Sequence, residues 1–142
     1  MKRRQFLQKT GISVGALSIS SSLFPQNILE PMNIKPKPVA VATWNFQNAT
    51  KKAGSMLENG FSALDAVEQG VMVEEANLKN TTVGDGGAPD RDGNVTLDAC
   101  IMSPDGNAGA VVYLKEIAHP VQVARKVMEE TPHVMLAGDG AL

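Results

Sequence analysis

The 142-residue chain has one cysteine, Cys100, and so no internal disulfide. No base is placed to activate that thiol. The two histidines, His119 and His133, lie beside prolines with no spacing that ties them to it, so Cys100 is read as a small apolar residue buried on a strand. Strong charge imbalance is missing too: the formal net charge is −2, and the densest basic stretch is the first four residues. A nucleic-acid surface would need a basic patch or stripe, so nucleic acid is excluded as a partner. There is no dinucleotide fingerprint. Gly84-x-Gly86-Gly87 departs from G-x-G-x-x-G and leads into a turn and a strand, not a helix. Nor is there a calcium loop in Asp90-Arg91-Asp92-Gly93-Asn94. An EF-hand needs Gly at its sixth position and Glu at its twelfth, whereas here Gly stands fourth and Ile101 twelfth. That run is read as a turn stabilised by Asx hydrogen bonds, and no metal is expected.

What is present starts at the N-terminus. Lys2-Arg3-Arg4-Gln5-Phe6-Leu7 precedes a weakly apolar Ser/Gly-rich stretch, Gly11 to Phe24. This reads as a twin-arginine-like export signal over residues 1–24, with a periplasmic or extracellular destination. Residues 25–37 hold three prolines and no periodicity, a linker. A single folded domain is expected from Pro38 to Leu142, and 43% hydrophobic and 20% charged residues permit a packed core.

Within that domain, Val39 to Phe46 reads as a strand from its β-prone apolar residues. Asn48 to Asn59 reads as a helix facing inward through Ala53, Met56 and Leu57, with Gly60 as its stop. Phe61 to Glu75 reads as a second helix, with Leu64, Val67 and Val71 inward, backed by Ala63, Ala66 and Met72, and a Ser62/Asp65 capping pair; Gly70 is its weak spot. Residues 76–92 read as loop. Glycines at 84, 86 and 87 allow positive φ and close approach of another group. Val95 to Met102 and Ala108 to Leu114 should form an antiparallel hairpin, Pro120 to Glu130 a helix, and His133 to Ala137 a short strand. The order is mixed, α+β, and not doubly wound. Asp98 is expected to be partly buried, with Arg91 or backbone amides as its donor. Trp44 and Phe46 share a strand face, either as a core aromatic pair or as the rim of a ligand cleft.

The strand ending Thr43-Trp44-Asn45-Phe46, the helix ALDAVEQGV, the run VGDGGAPDRDGNVTLDACIM and the segment ARKVMEETPHVML follow one another in an order that resembles the glycosylasparaginase family. The resemblance runs from about Pro38 to Leu142. It implies an αββα sandwich of the N-terminal nucleophile hydrolase type, of which this sequence would be an incomplete, α-chain portion. It implies a precursor that cleaves itself into α and β chains, exposing an N-terminal Thr that acts as nucleophile with its own α-amine as base. The implied reaction is hydrolysis of the amide between N-acetylglucosamine and asparagine in glycoprotein degradation, without cofactor or metal. Trp44 and Phe46 match the aromatic positions of the substrate pocket. Thr82 matches a position near the nucleophile where the family usually has serine. No His-Asp-Thr tripeptide occurs in the sequence, so the nucleophilic Thr is expected downstream of Leu142 and no catalytic residue is expected here. The implied partners are the missing C-terminal half or β chain, in an (αβ)2 assembly, and glycosylated asparagine as substrate. The chain alone is expected to be inactive. Two other readings stay open: a plant-type L-asparaginase or isoaspartyl peptidase, and a non-enzymatic exported binding module.

Overall fold

The structure, a computed structural model, describes residues 37–142. The export signal over 1–24 and nearly all of the 25–37 linker lie outside the described residues.

Helix α1 spans Gln47–Glu58 and helix α2 spans Ala63–Glu75. Gly60, at φ +83°, ends α1 in a left-handed turn. The amides of Gly60 and Phe61 then reach back to Leu57 and Met56 carbonyls, both at 3.1 Å, satisfying acceptors the helix end would leave open. Ser62 starts α2: its hydroxyl accepts from the Asp65 amide at 3.0 Å and donates to the Asp65 carboxylate at 2.6 Å. The aspartate is too short to reach back to the cap's own amide, so it bonds to the cap's hydroxyl. Gly70 is where the two helices press together. A Cβ there would sit 2.9 Å from the Ala49 carbonyl oxygen and 3.2 Å from Ala53 Cβ, so this glycine is needed for the crossing and is not a weak spot. The crossing also turns α2. Ala66, Gly70, Glu74 and Glu75 are its buried positions and Leu64 and Met72 pack against the core, as expected, while Val67 at 50% and Val71 at 36% exposed depart from the expected face. The small residues win this face because they let the backbones approach.

Strands β1 (Leu97–Met102) and β2 (Ala108–Leu114) form the expected antiparallel hairpin, with Cys100 opposite Ala110 and Ile101 opposite Gly109. Helix α3 spans Pro120–Glu130, and strand β3, Met135–Ala137, pairs parallel to β2 in a sheet of order β1-β2-β3. The parallel pairing follows from the intervening helix, which carries the chain back across the sheet. A buried cluster of Ile101, Val111, Leu114, Val121, Ala124 and Val127 joins α3 to one sheet face, with Leu64 and Met72 of α2 packed against it. The opposite face stays open: Met102 is 68% and Met135 58% exposed. Cys100 is on that face and is exposed, not buried, because the alternation that takes Leu97 and Ile101 inward takes Asp98, Cys100 and Met102 outward.

Asp98 is likewise exposed. Its Oδ1 accepts from the Tyr113 amide at 2.8 Å, beside a register shift between Leu97 and Ala99. Tyr113 takes φ +59° there, and the aspartate holds that strained position. Arg91 lies instead beside Asp92.

Val39 to Phe46 is not a strand. Among the described residues it joins no ladder; Val39 and Val41 are exposed, and the Phe46 amide closes a tight turn on the Trp44 carbonyl at 2.7 Å. β-propensity marks a segment suited to a sheet but does not supply the neighbour that makes one.

Candidate functional site

That tight turn stacks the Trp44 and Phe46 rings, with centroids 5.9 Å apart and planes 27° apart. Trp44 is 64% exposed, which fits a rim and not a core pair. Phe46 faces an apolar cleft of about 560 Å³ between the Val39–Thr43 segment and helices α1 and α2. Leu57, Val67, Val71 and Val83 line it, together with one acid, Glu74. A shallower hollow of about 270 Å³ is lined by Trp44, Asn45 and Phe46. Phe46 therefore belongs to both hollows and Trp44 to the shallower one only.

Thr82 lies in the loop after α2 and lines neither hollow, although Val83 beside it lines the cleft. Its amide and hydroxyl both donate to Asn80 Oδ1, at 3.1 and 2.8 Å. Asn80 Nδ2 donates in turn to Glu74 Oε2 at 3.3 Å, and Glu74 is only 7% exposed. The structure thus brings Trp44 and Phe46 together and ties Thr82 through Asn80 to a buried acid at the cleft.

Glu75 is the second buried acid, 4% exposed. Its Oε1 accepts from the Val121 amide at 3.1 Å and its Oε2 faces His119 Nδ1 at 3.3 Å. Helix α3 has no cap from its own His119 side chain, so Glu75 caps it from across the fold. Burial pushes the Glu75 carboxyl above the usual range, against the pull of the Val121 amide and His119. The glycine loop rests on the same residue. Gly84, at φ +69°, leaves no room for a Cβ, which would overlap the Glu75 carbonyl oxygen. The group that approaches this loop closely is therefore the end of α2. Glu74 and Glu75 do not stand out by any motif in the sequence, yet a signal is present: two acids in a helix's last turn oppose its dipole, a local conflict that marks a tertiary role.

The acidic turn is an Asx turn, as expected. Asp90 Oδ1 accepts from the amides of Asp92 and Asn94, both at 2.9 Å. The Asn94 amide, first among these contacts, holds the Asp90 carboxyl below its ordinary range. Among the described residues no group of three or more His, Cys, Asp or Glu could hold a metal ion, and no helix is long and apolar enough to cross a membrane.

A family model described as asparaginase matches residues 26–142. The chain belongs to the asparaginase family, hydrolases of the N-terminal nucleophile superfamily. Within it, the chain is similar to glycosylasparaginases. It is 49% identical over 143 residues to the N(4)-(β-N-acetylglucosaminyl)-L-asparaginase of Elizabethkingia miricola, covering 99% of this chain and 42% of that protein. It is 50% identical over 109 residues to the protein of the same name in Mus musculus, covering 75% and 31%. An isoaspartyl peptidase of Salmonella typhimurium is 49% identical over 90 residues, covering 61% and 28%. The chain thus spans less than half the length of these relatives. The three α-helices and small sheet among the described residues are compatible with part of a domain of the N-terminal nucleophile type.

Proposed function

We propose that this chain forms the α-chain portion of a glycosylasparaginase, an enzyme that hydrolyses the amide joining N-acetylglucosamine to asparagine. The observation that carries the reading is the 49% identity over 99% of the chain to a relative named for that activity. The exposed Trp44 stacked on Phe46 supports it with a flat aromatic surface beside a cleft, of the kind that walls a small-ligand site. In this reading the nucleophilic Thr and its α-amine come from the remainder of the protein, with Thr82 nearby, and the residues described here shape and dry the pocket. The open sheet face is where a second sheet would stack to complete an αββα sandwich, and Val39 to Phe46 is where a further strand would join. The assembly would be (αβ)2. An export signal at residues 1–24 would send it to the periplasm or beyond.

The full-length protein should release aspartate from N4-(β-N-acetylglucosaminyl)-asparagine, and residues 1–142 alone should release none. Trp44→Ala and Phe46→Ala should each lower kcat/KM on that substrate, by about tenfold for a lost aromatic wall. Aspartate release by the 142-residue chain alone, or none by the full-length protein, would remove the assignment, and an unchanged kcat/KM in both variants would remove the aromatic pair from the site.

A further inference from the structure

We propose that Asn80 is a positioning residue for the Thr82 hydroxyl, anchored by the buried carboxylate of Glu74. The proposal rests on the reading of Thr82 as a residue beside the nucleophile. The orientation of the Asn80 amide follows from its partners. The Thr82 backbone amide can only donate, so the atom it meets at 3.1 Å is the side-chain oxygen. The opposite end of the amide meets Glu74 Oε2 at 3.3 Å, where a donor is required. Flipping the amide would put donor against donor at one end and acceptor against acceptor at the other. With Oδ1 facing it at 2.8 Å, the Thr82 hydroxyl must spend its proton on Asn80. Both lone pairs of that hydroxyl are left, so Thr82 is an acceptor only. The group it serves must bring an N–H or O–H.

The anchor is firm at both ends. Glu74 is 7% exposed on a helix packed against its neighbour. Asn80 is held by its own amide on the Asn77 carbonyl at 2.8 Å, and its carbonyl lies where a Cβ on Gly86 would overlap it. A free threonine hydroxyl samples its rotor and can donate as readily as accept; this one is set before any ligand arrives, which is how orientation lowers a barrier. The sequence of roles is Glu74 fixing Asn80, and Asn80 fixing the hydroxyl. Neither Glu74 nor Asn80 needs to touch substrate.

A double-mutant cycle in the full-length protein tests the relay. It is read on whichever amide the wild type hydrolyses, so an error in the proposed substrate does not alter its outcome. Asn80→Ala and Thr82→Val are each expected to lower kcat about tenfold with KM within about twofold, and the double variant to be no slower than Thr82→Val alone. Glu74→Leu, which takes the acceptor away from Asn80 Nδ2, is expected to lower kcat and to add no further loss in the Thr82→Val background. Asn80→Leu, of similar shape and with no acceptor, serves the same cycle should Asn80→Ala not fold. The relay is overturned if Asn80→Ala retains wild-type kcat, if the two losses multiply in the double variant, or if Thr82→Val is fully active.

Discussion

Two buried acids at the end of α2 (Ala63–Glu75) show how single residues set this fold. Glu75 satisfies the first turn of α3 with a carboxylate from another helix, so removing it leaves the Val121 amide without its acceptor. Glu75→Ala should cost about 1–3 kcal/mol in urea unfolding of the full-length protein, while Glu75→Gln, which keeps an oxygen for that amide, should cost less. The pH dependence separates the two acids of α2 that titrate unusually. The Glu75 carboxyl is raised by burial from 4.5, so its contribution is fully present below that value and is lost as pH rises through the raised one. Glu75→Gln, which does not ionise, should therefore gain on the wild type as pH rises through that window. Asp65 behaves oppositely. The Ser62 hydroxyl, and after it Arg125, hold it below 3.8, so its contribution is present above 3.8 and lost as pH falls through its lowered value. Asp65→Asn should flatten the acid limb of the unfolding profile. The Ser62 part of the Asp65 role is legible from spacing, but the rest is not, because Val121 lies 46 residues from Glu75, and Arg125 60 residues from Asp65.

At the scale of elements, what was legible in the sequence was whatever local chemistry decides. Ser62 and Asp65 mark the start of α2, Gly60 the end of α1, and Pro120 the first residue of α3, and each does so in the structure. The hairpin was legible from two short β-prone runs on either side of Pro104-Asp105-Gly106-Asn107. What failed depended on partners distant in sequence. Val39 to Phe46 has the composition of a strand but finds no ladder among the described residues, and Cys100 points to the uncovered side of the sheet. The face of α2 follows its spacing at Leu64, Ala66 and Met72 and departs from it at Val67 and Val71, which the close crossing with α1 at Gly70 leaves half exposed. Gly70→Ala makes this measurable. Helix propensity alone would favour the alanine by about 1 kcal/mol. The methyl would stand 2.9 Å from the Ala49 carbonyl oxygen, and forcing packed groups apart costs about 1–3 kcal/mol. The variant should therefore be less stable in urea; a more stable Gly70→Ala would show that α1 and α2 are not clamped at this point. Of the candidate site, the aromatic pair was legible because both rings lie in one short motif. The tie from Thr82 through Asn80 to Glu74 was not, since it depends on how the loop folds back on α2.

For the molecule as a whole, one sheet face is packed by α3 and the other is open, with Met102 and Met135 exposed on it. The chain spans 42% of the length of its Elizabethkingia miricola relative, and the proposed sandwich assigns that face to the remaining portion. The central claim is the choice of substrate within the asparaginase family, where relatives named for glycosylated asparagine and for isoaspartyl peptides both match this chain. The most direct test is to measure kcat/KM of the full-length protein on N4-(β-N-acetylglucosaminyl)-asparagine and on a β-aspartyl dipeptide, side by side. A ratio of about ten or more in favour of the glycosylated substrate, corresponding to about 1.4 kcal/mol of transition-state preference, is the result the account predicts. Cleavage of the dipeptide with no turnover of the glycosylated asparagine would contradict it.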